Sequence, residues 1–117
     1  MKKIRVILSS DAKEVYNHLK EEAPKSKTER TILNSIKKKI EIIKSNPHYG
    51  DPIAKSHIPK EYLVKYEITN LFRVELPNYW RMLYTLKDGD TKCEIIAFVL
   101  DLVDHSSYNK KFGYKRK

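Results

Sequence analysis

The chain predicts an α+β fold: an N-terminal strand, then an antiparallel two-helix hairpin packed on one face of a mainly antiparallel sheet of about four strands. Three observations lead there. Residues 70–86 alternate apolar and polar side chains on both sides of a turn at Pro77-Asn78, the period of two that marks strands. Two upstream segments open on capping residues and carry an apolar stripe at helical spacing. The 117 residues, 40% hydrophobic with three glycines, suffice for a single domain, 1–117, with its own core.

Residues 3–8 put Ile4, Val6 and Leu8 on one side and Arg5 and Ile7 on the other, a first strand. Ser9-Ser10-Asp11 supplies cap chemistry, with Glu14 three residues beyond Asp11. The helix that follows aligns Ala12, Val15, Tyr16, Leu19 and Ala23 and stops before Pro24. Ser26-Lys27-Thr28-Glu29 is a second capping box. It opens a longer helix with Leu33, Ile36, Ile40 and Ile43 on its core side and Lys37, Lys38 and Lys39 on its solvated flank, ended by Asn46-Pro47. His48-Tyr49-Gly50-Asp51-Pro52 is a loop. Residues 53–69 are ambiguous: Tyr62, Val64 and Tyr66 alternate like a strand, yet Pro59 can start a helical turn.

In the 70–86 hairpin, Phe72, Val74, Leu76, Met82, Tyr84 and Leu86 form the apolar face, and Arg73, Glu75 and Arg81 gather on the opposite, open one. Asp88-Gly89 turns the chain into the most apolar strand, 94–103. Strict alternation there aims Ile96, Phe98, Leu100 and Leu102 at the helices. Ile95, Ala97, Val99, Asp101 and Val103 then lie on the open face. A basic tail runs from about residue 105.

Net charge is +9, unevenly spread: residues 1–45 carry 12 basic and 6 acidic side chains, 46–104 carry 7 and 9, and 105–117 carry 5 and none. Such polarity suits nucleic acid or an acidic protein partner, or equally a lysine-rich surface kept soluble by its charge. One cysteine, Cys93, excludes an intrachain disulfide and fits a reducing cytoplasm. The run at 4–8 is too short and too interrupted for a signal peptide, and the longest apolar run, 95–100, is far below the ~20 residues that span a bilayer. No metal is expected, since His48 and His57 lack ligand spacing to each other or to cysteine. Taken alone, two arginines and a carboxylate on a stiff hairpin are either a phosphate site or the wet side of an ordinary sheet, salt-bridged across strands.

The segments NPHYGDPI (46–53), LFRVELPNYWRMLYTL (71–86) and DHSSYNKKFGY (104–114), in this order behind a strand and a helical hairpin, resemble the RelE/ParE toxin superfamily. That resemblance implies the toxin of a toxin–antitoxin pair. RelE-type members cleave mRNA in the ribosomal A site, whereas ParE-type members poison DNA gyrase. It further implies a metal-independent endoribonuclease without cofactor, whose partner is an acidic antitoxin encoded next door. On the matching positions, Arg73 and Arg81 hold the scissile phosphate, His105 is the acid or electrostatic stabiliser, and Tyr108 orients the RNA. Glu75 departs from the RelE pattern, which has lysine there, and serves as base or as orienter, with Asp101 the other candidate base. Lys55, Lys65, Tyr114 and Lys115 are the expected RNA contacts, while Phe112 tucks the tail against the sheet. A non-catalytic homologue that only binds antitoxin or RNA is the remaining reading.

Overall fold

The computed structural model describes residues 2–113. β1 (Lys3–Leu8) leads into α1 (Ser10–Glu22) and α2 (Lys27–Ser45). A two-residue β2 (Asp51–Pro52), a 3₁₀ turn and α3 (Lys60–Tyr66) follow. Then come β3 (Phe72–Glu75), β4 (Arg81–Asp88), β5 (Glu94–Val103) and α4 (His105–Phe112). The fold class is α+β, but the sheet has five strands rather than four, in the order β1-β5-β4-β3-β2. β1 runs parallel to β5, and the other pairs are antiparallel.

The helical hairpin forms where its sequence periodicity places it. α2 buries Leu33, Ile36 and Ile43, with Ile32 beside them, against Phe72, Val74, Met82 and Tyr84 of the sheet. Its cap is Ser26, whose Oγ accepts from the Glu29 amide and also meets the Glu29 carboxylate. The cap of α1 is Ser9, two residues before Asp11: Ser9 Oγ accepts from the Ala12 amide at 3.0 Å and donates to the Leu100 carbonyl at 2.6 Å. Ser9 outcompetes Asp11 because it is already tied to β5, its amide bonding the Val99 carbonyl at 2.8 Å.

Strict alternation fails in β5. Leu83 opposes Asp101 and Tyr84 opposes Val99, so Leu100 is the extra residue of a bulge. The bulge inverts the face of everything before it. Ala97 and Val99 face the helical hairpin, Phe98 and Leu100 face away, and Leu102 returns to the hairpin side. The expected faces hold only after the bulge, for Asp101, Leu102 and Val103.

The far face is not open. Leu71, Leu83, Leu100 and Val103 meet Ile58, Tyr62 and Ile68 from the α3 region and Tyr108 from α4 in a second apolar cluster. Residues 60–66 are therefore helix, since Tyr62 buries its ring in this cluster and its hydroxyl donates to Asp101 at 2.8 Å. Likewise residues 105–112 of the expected tail form α4, capped by Asp104, whose carboxylate accepts from the Ser107 amide at 2.8 Å, and closed by Gly113 at φ 70°. The 46–53 loop is held from inside. Tyr84 donates its hydroxyl to the Pro47 carbonyl at 2.7 Å and accepts from the Gly50 amide at 2.9 Å. A Cβ on Gly50 would come within 2.9 Å of the Tyr84 ring, so only glycine lets this loop lie so close. No helix among the described residues is long and apolar enough to cross a membrane.

Candidate functional site

At the end of the sheet where β5 runs into α4, four segments bring charged groups together. Strand register does the first part: Glu75 opposes Arg81 across β3–β4, and Asp51 opposes Arg73 across β2–β3. Glu75 lies between the arginines, its Oε2 3.2 Å from Arg73 Nε and its Oε1 3.5 Å from Arg81 Nε. Asp51 stands 3.8 Å from Arg73 on the other side. Both guanidinium Nε atoms are buried, and neither has a hydrogen-bond acceptor aligned with it among the described residues.

α4 supplies the remaining groups. Its first residue, His105, presents Nδ1 3.0 Å from Arg81 Nη1, which also donates to the Tyr79 carbonyl. A guanidinium is a donor only, so Nδ1 accepts and the ring proton sits on Nε2. Nε2 lies 3.1 Å from the Asn109 side-chain amide, one helical turn on, and the tautomer requires the Asn109 carbonyl oxygen to face it. Tyr108 accepts from Arg73 Nη1 at 3.1 Å and lays its ring 4.6 Å beneath the Arg81 guanidinium. That hydroxyl, with Glu75 and Asp51, raises the Arg73 pKa above its ordinary value, against the burial that lowers it. Phe112 stacks on Tyr108 at 4.4 Å, which fixes the tail end of α4 as the tucked aromatic was expected to do.

Five residues singled out in the sequence therefore meet: Arg73, Glu75, Arg81, His105 and Tyr108. Others do not join them. Asp101 is spent elsewhere, since it accepts from Tyr62 and lies 3.7 Å from Lys111, which also pairs with Glu61 at 3.1 Å. It clamps α3 and α4 to the sheet. Lys65 pairs with Asp11 at 2.6 Å, at the start of α1, and Lys55 lies exposed in the 3₁₀ turn. Tyr114 and Lys115 lie outside the described residues. Asp51, Asn109 and Tyr79 escaped the sequence reading. Asn109 at four residues from His105 is a signal that becomes visible once 105–112 is read as helix.

Beside Arg73 and Glu75 opens a shallow cleft of about 300 Å³ walled by Lys39, Tyr49 and Asp51. Lys39 reaches it from α2 and donates to the Tyr49 hydroxyl at 3.1 Å. The arrangement can bind an oxyanion at its two guanidiniums and move protons at a carboxylate and an imidazole next to it. Comparisons with protein-family models, curated proteins and solved structures find no match to this chain.

Proposed function

We propose that this site binds and cleaves RNA at a phosphodiester, as the resemblance to RelE-type toxins implies. The supporting observation is the pair of buried guanidinium Nε donors that converge on one carboxylate without a hydrogen bond to it. Both guanidiniums are ion-paired with Glu75 but not hydrogen-bonded to it through Nε, so a better-placed oxyanion between them would gain two charge-assisted donors. A phosphate between Arg73 and Arg81 takes the place of Glu75. The freed carboxylate then accepts the proton of the ribose 2′-OH as its oxygen attacks phosphorus. His105, in its protonated form once Arg81 has turned to the phosphate, gives a proton to the departing 5′-oxygen. The products are a 2′,3′-cyclic phosphate and a 5′-hydroxyl, and the two arginines stabilise the charge that builds on the non-bridging oxygens.

In this reading the protein is the toxin of a toxin–antitoxin pair. It acts in the cytoplasm on mRNA in the ribosomal A site and is silenced by an acidic antitoxin from the adjacent reading frame, for which the +9 charge is suited. Translating ribosomes loaded with a defined mRNA, incubated with the protein and mapped by primer extension, test it. Cuts within the A-site codon are expected, and Arg81→Ala reduces their rate about 10²–10³-fold. Gyrase inhibition with intact mRNA would replace this reading with the ParE-type one. Absence of growth arrest on expression would replace it with the non-catalytic binder.

A further inference from the structure

The turn that joins β3 to β4 holds two consecutive non-glycine residues in the left-handed region, Asn78 at φ 59° and Tyr79 at φ 63°. Asparagine tolerates that conformation; a tyrosine there is a genuine outlier. The turn is clamped from both sides. The Leu76 amide bonds the Trp80 carbonyl at 2.9 Å, Leu76 is buried, and Trp80 packs against the hairpin-side core. Between these anchors Tyr79 is 71% exposed. It stands 5.6 Å from the His105 ring, and its own carbonyl accepts from Arg81. A strained backbone thus carries a largely exposed aromatic ring to the edge of the arginine pair.

We infer that Tyr79 is a stacking platform for an unpaired RNA base next to the phosphate held by Arg73 and Arg81. The inference rests on the RNA-cleaving reading of that site. Unpaired bases are recognised by aromatic faces beside basic groups that take the backbone, and stacking accepts any base because each has a π-face. Tyr79 then fixes which nucleotide lies over the site, while the arginines fix its phosphate. A glycine at 79 is the residue the backbone prefers, and its absence is what the ring's role explains.

The test combines binding and cleavage. A short single-stranded RNA carrying 2-aminopurine, with 2′-O-methyl riboses that block attack, is titrated against wild type, Tyr79→Phe, Tyr79→Asn and Tyr79→Gly. Quenching of the aminopurine in wild type and Tyr79→Phe is expected, with affinity reduced about 5- to 150-fold in the Asn and Gly variants. The thermal midpoint of Tyr79→Gly should not fall, so lost binding cannot be assigned to unfolding. On ribosomes, the same two variants should lose rate or shift the cut position. Equal affinity and quenching in all four proteins would overturn the proposal and reassign the exposed ring to a protein contact. Tyr79-dependent binding without any cleavage by wild type would uphold the platform and overturn the cleavage reading alone.

Discussion

The two faces of the sheet are built on different terms. Among the described residues, fifteen buried side chains join the cluster under α1 and α2, against eight in the cluster under α3 and α4. The first face is closed by a long amphipathic hairpin, and the Tyr84 hydroxyl within it bonds backbone groups of the 46–53 loop. The second is smaller, is closed by two short helices, and is pinned at its edges by polar ties: Tyr62 to Asp101, Lys111 to Glu61 and Asp101, and Arg73 to Tyr108. The candidate site lies on the second face. In the proposed function the groups that exchange partners with a ligand thus lie over the smaller of the two clusters, and the larger core lies on the other side of the same strands.

The sharpest way to break this contrast is a cavity in the larger core. Ile36 is fully buried between α2 and the sheet. Ile36→Ala should cost about 2–5 kcal/mol, read as a lowered urea midpoint with unchanged slope, because the hairpin cannot collapse onto a rigid sheet. A loss below about 1 kcal/mol would mean that the hairpin side is not the dominant core.

Arg81→Lys asks the reverse of the second face. It keeps the charge but removes the planar fork that serves Glu75, His105 and the Tyr79 carbonyl, and the stacking on Tyr108. The proposed RNA cleavage should fall about 10²–10³-fold. Near-wild-type cleavage in Arg81→Lys would reduce the residue to a point charge and dissolve the geometric argument.

How far the sequence revealed these faces follows from where each determinant lies. α2 was legible because its 3-4-3 spacing and its Ser26 cap are local. The grouping of Arg73, Glu75 and Arg81 was legible for the same reason, since parity along a regular hairpin needs no distant information. β5 misled because one extra residue, Leu100, inverts parity for the strand before it, and no side chain announces a bulge. α3 was hidden by the accidental alternation of Tyr62, Val64 and Tyr66, and the bond of Tyr62 to Asp101, 39 residues away, decides it. The parallel pairing of β1 with β5 joins opposite ends of the chain and leaves no local mark. The covered second face did leave one: Leu83 and Val103 are bulky apolar residues on a side that was to be wet. Tyr79 depends on a positive φ that composition does not encode.

Lys111 gives a smaller perturbation, confined to one face. It joins α4 to Glu61 of α3 and to Asp101 of the sheet. Lys111→Met keeps the stem and removes both ion pairs, at a cost of about 1 kcal/mol for a partly exposed network. Amide hydrogen exchange should quicken in α4 and leave α1 and α2 unchanged. Equal acceleration in both would show that the faces open as one unit.

The last contrast is silent at neutral pH and emerges only in alkali. Two buried tyrosines, one on each face, have a pKa raised above the ordinary 10.0: Tyr62 on the second face, chiefly by burial and then by Asp101, and Tyr84 on the hairpin side, by burial and Tyr49 against the opposing bond from Gly50. In the unfolded chain both lose their proton near pH 10, while the folded chain retains it. Above that point the native state binds more protons than the unfolded one, and stability falls as pH rises. Below it these groups leave stability flat. A carboxylate beside Tyr62 repels the phenolate, whereas no carboxylate acts on Tyr84, so of these two groups Tyr62 contributes the larger share of the alkaline decline. Tyr62→Phe, which loses about 1 kcal/mol at pH 7 with its bond to Asp101, should therefore flatten the fall in unfolding free energy above pH 10 more than Tyr84→Phe does. Equal slopes for the two variants in urea titrations across that range would remove Asp101 as the cause of the difference.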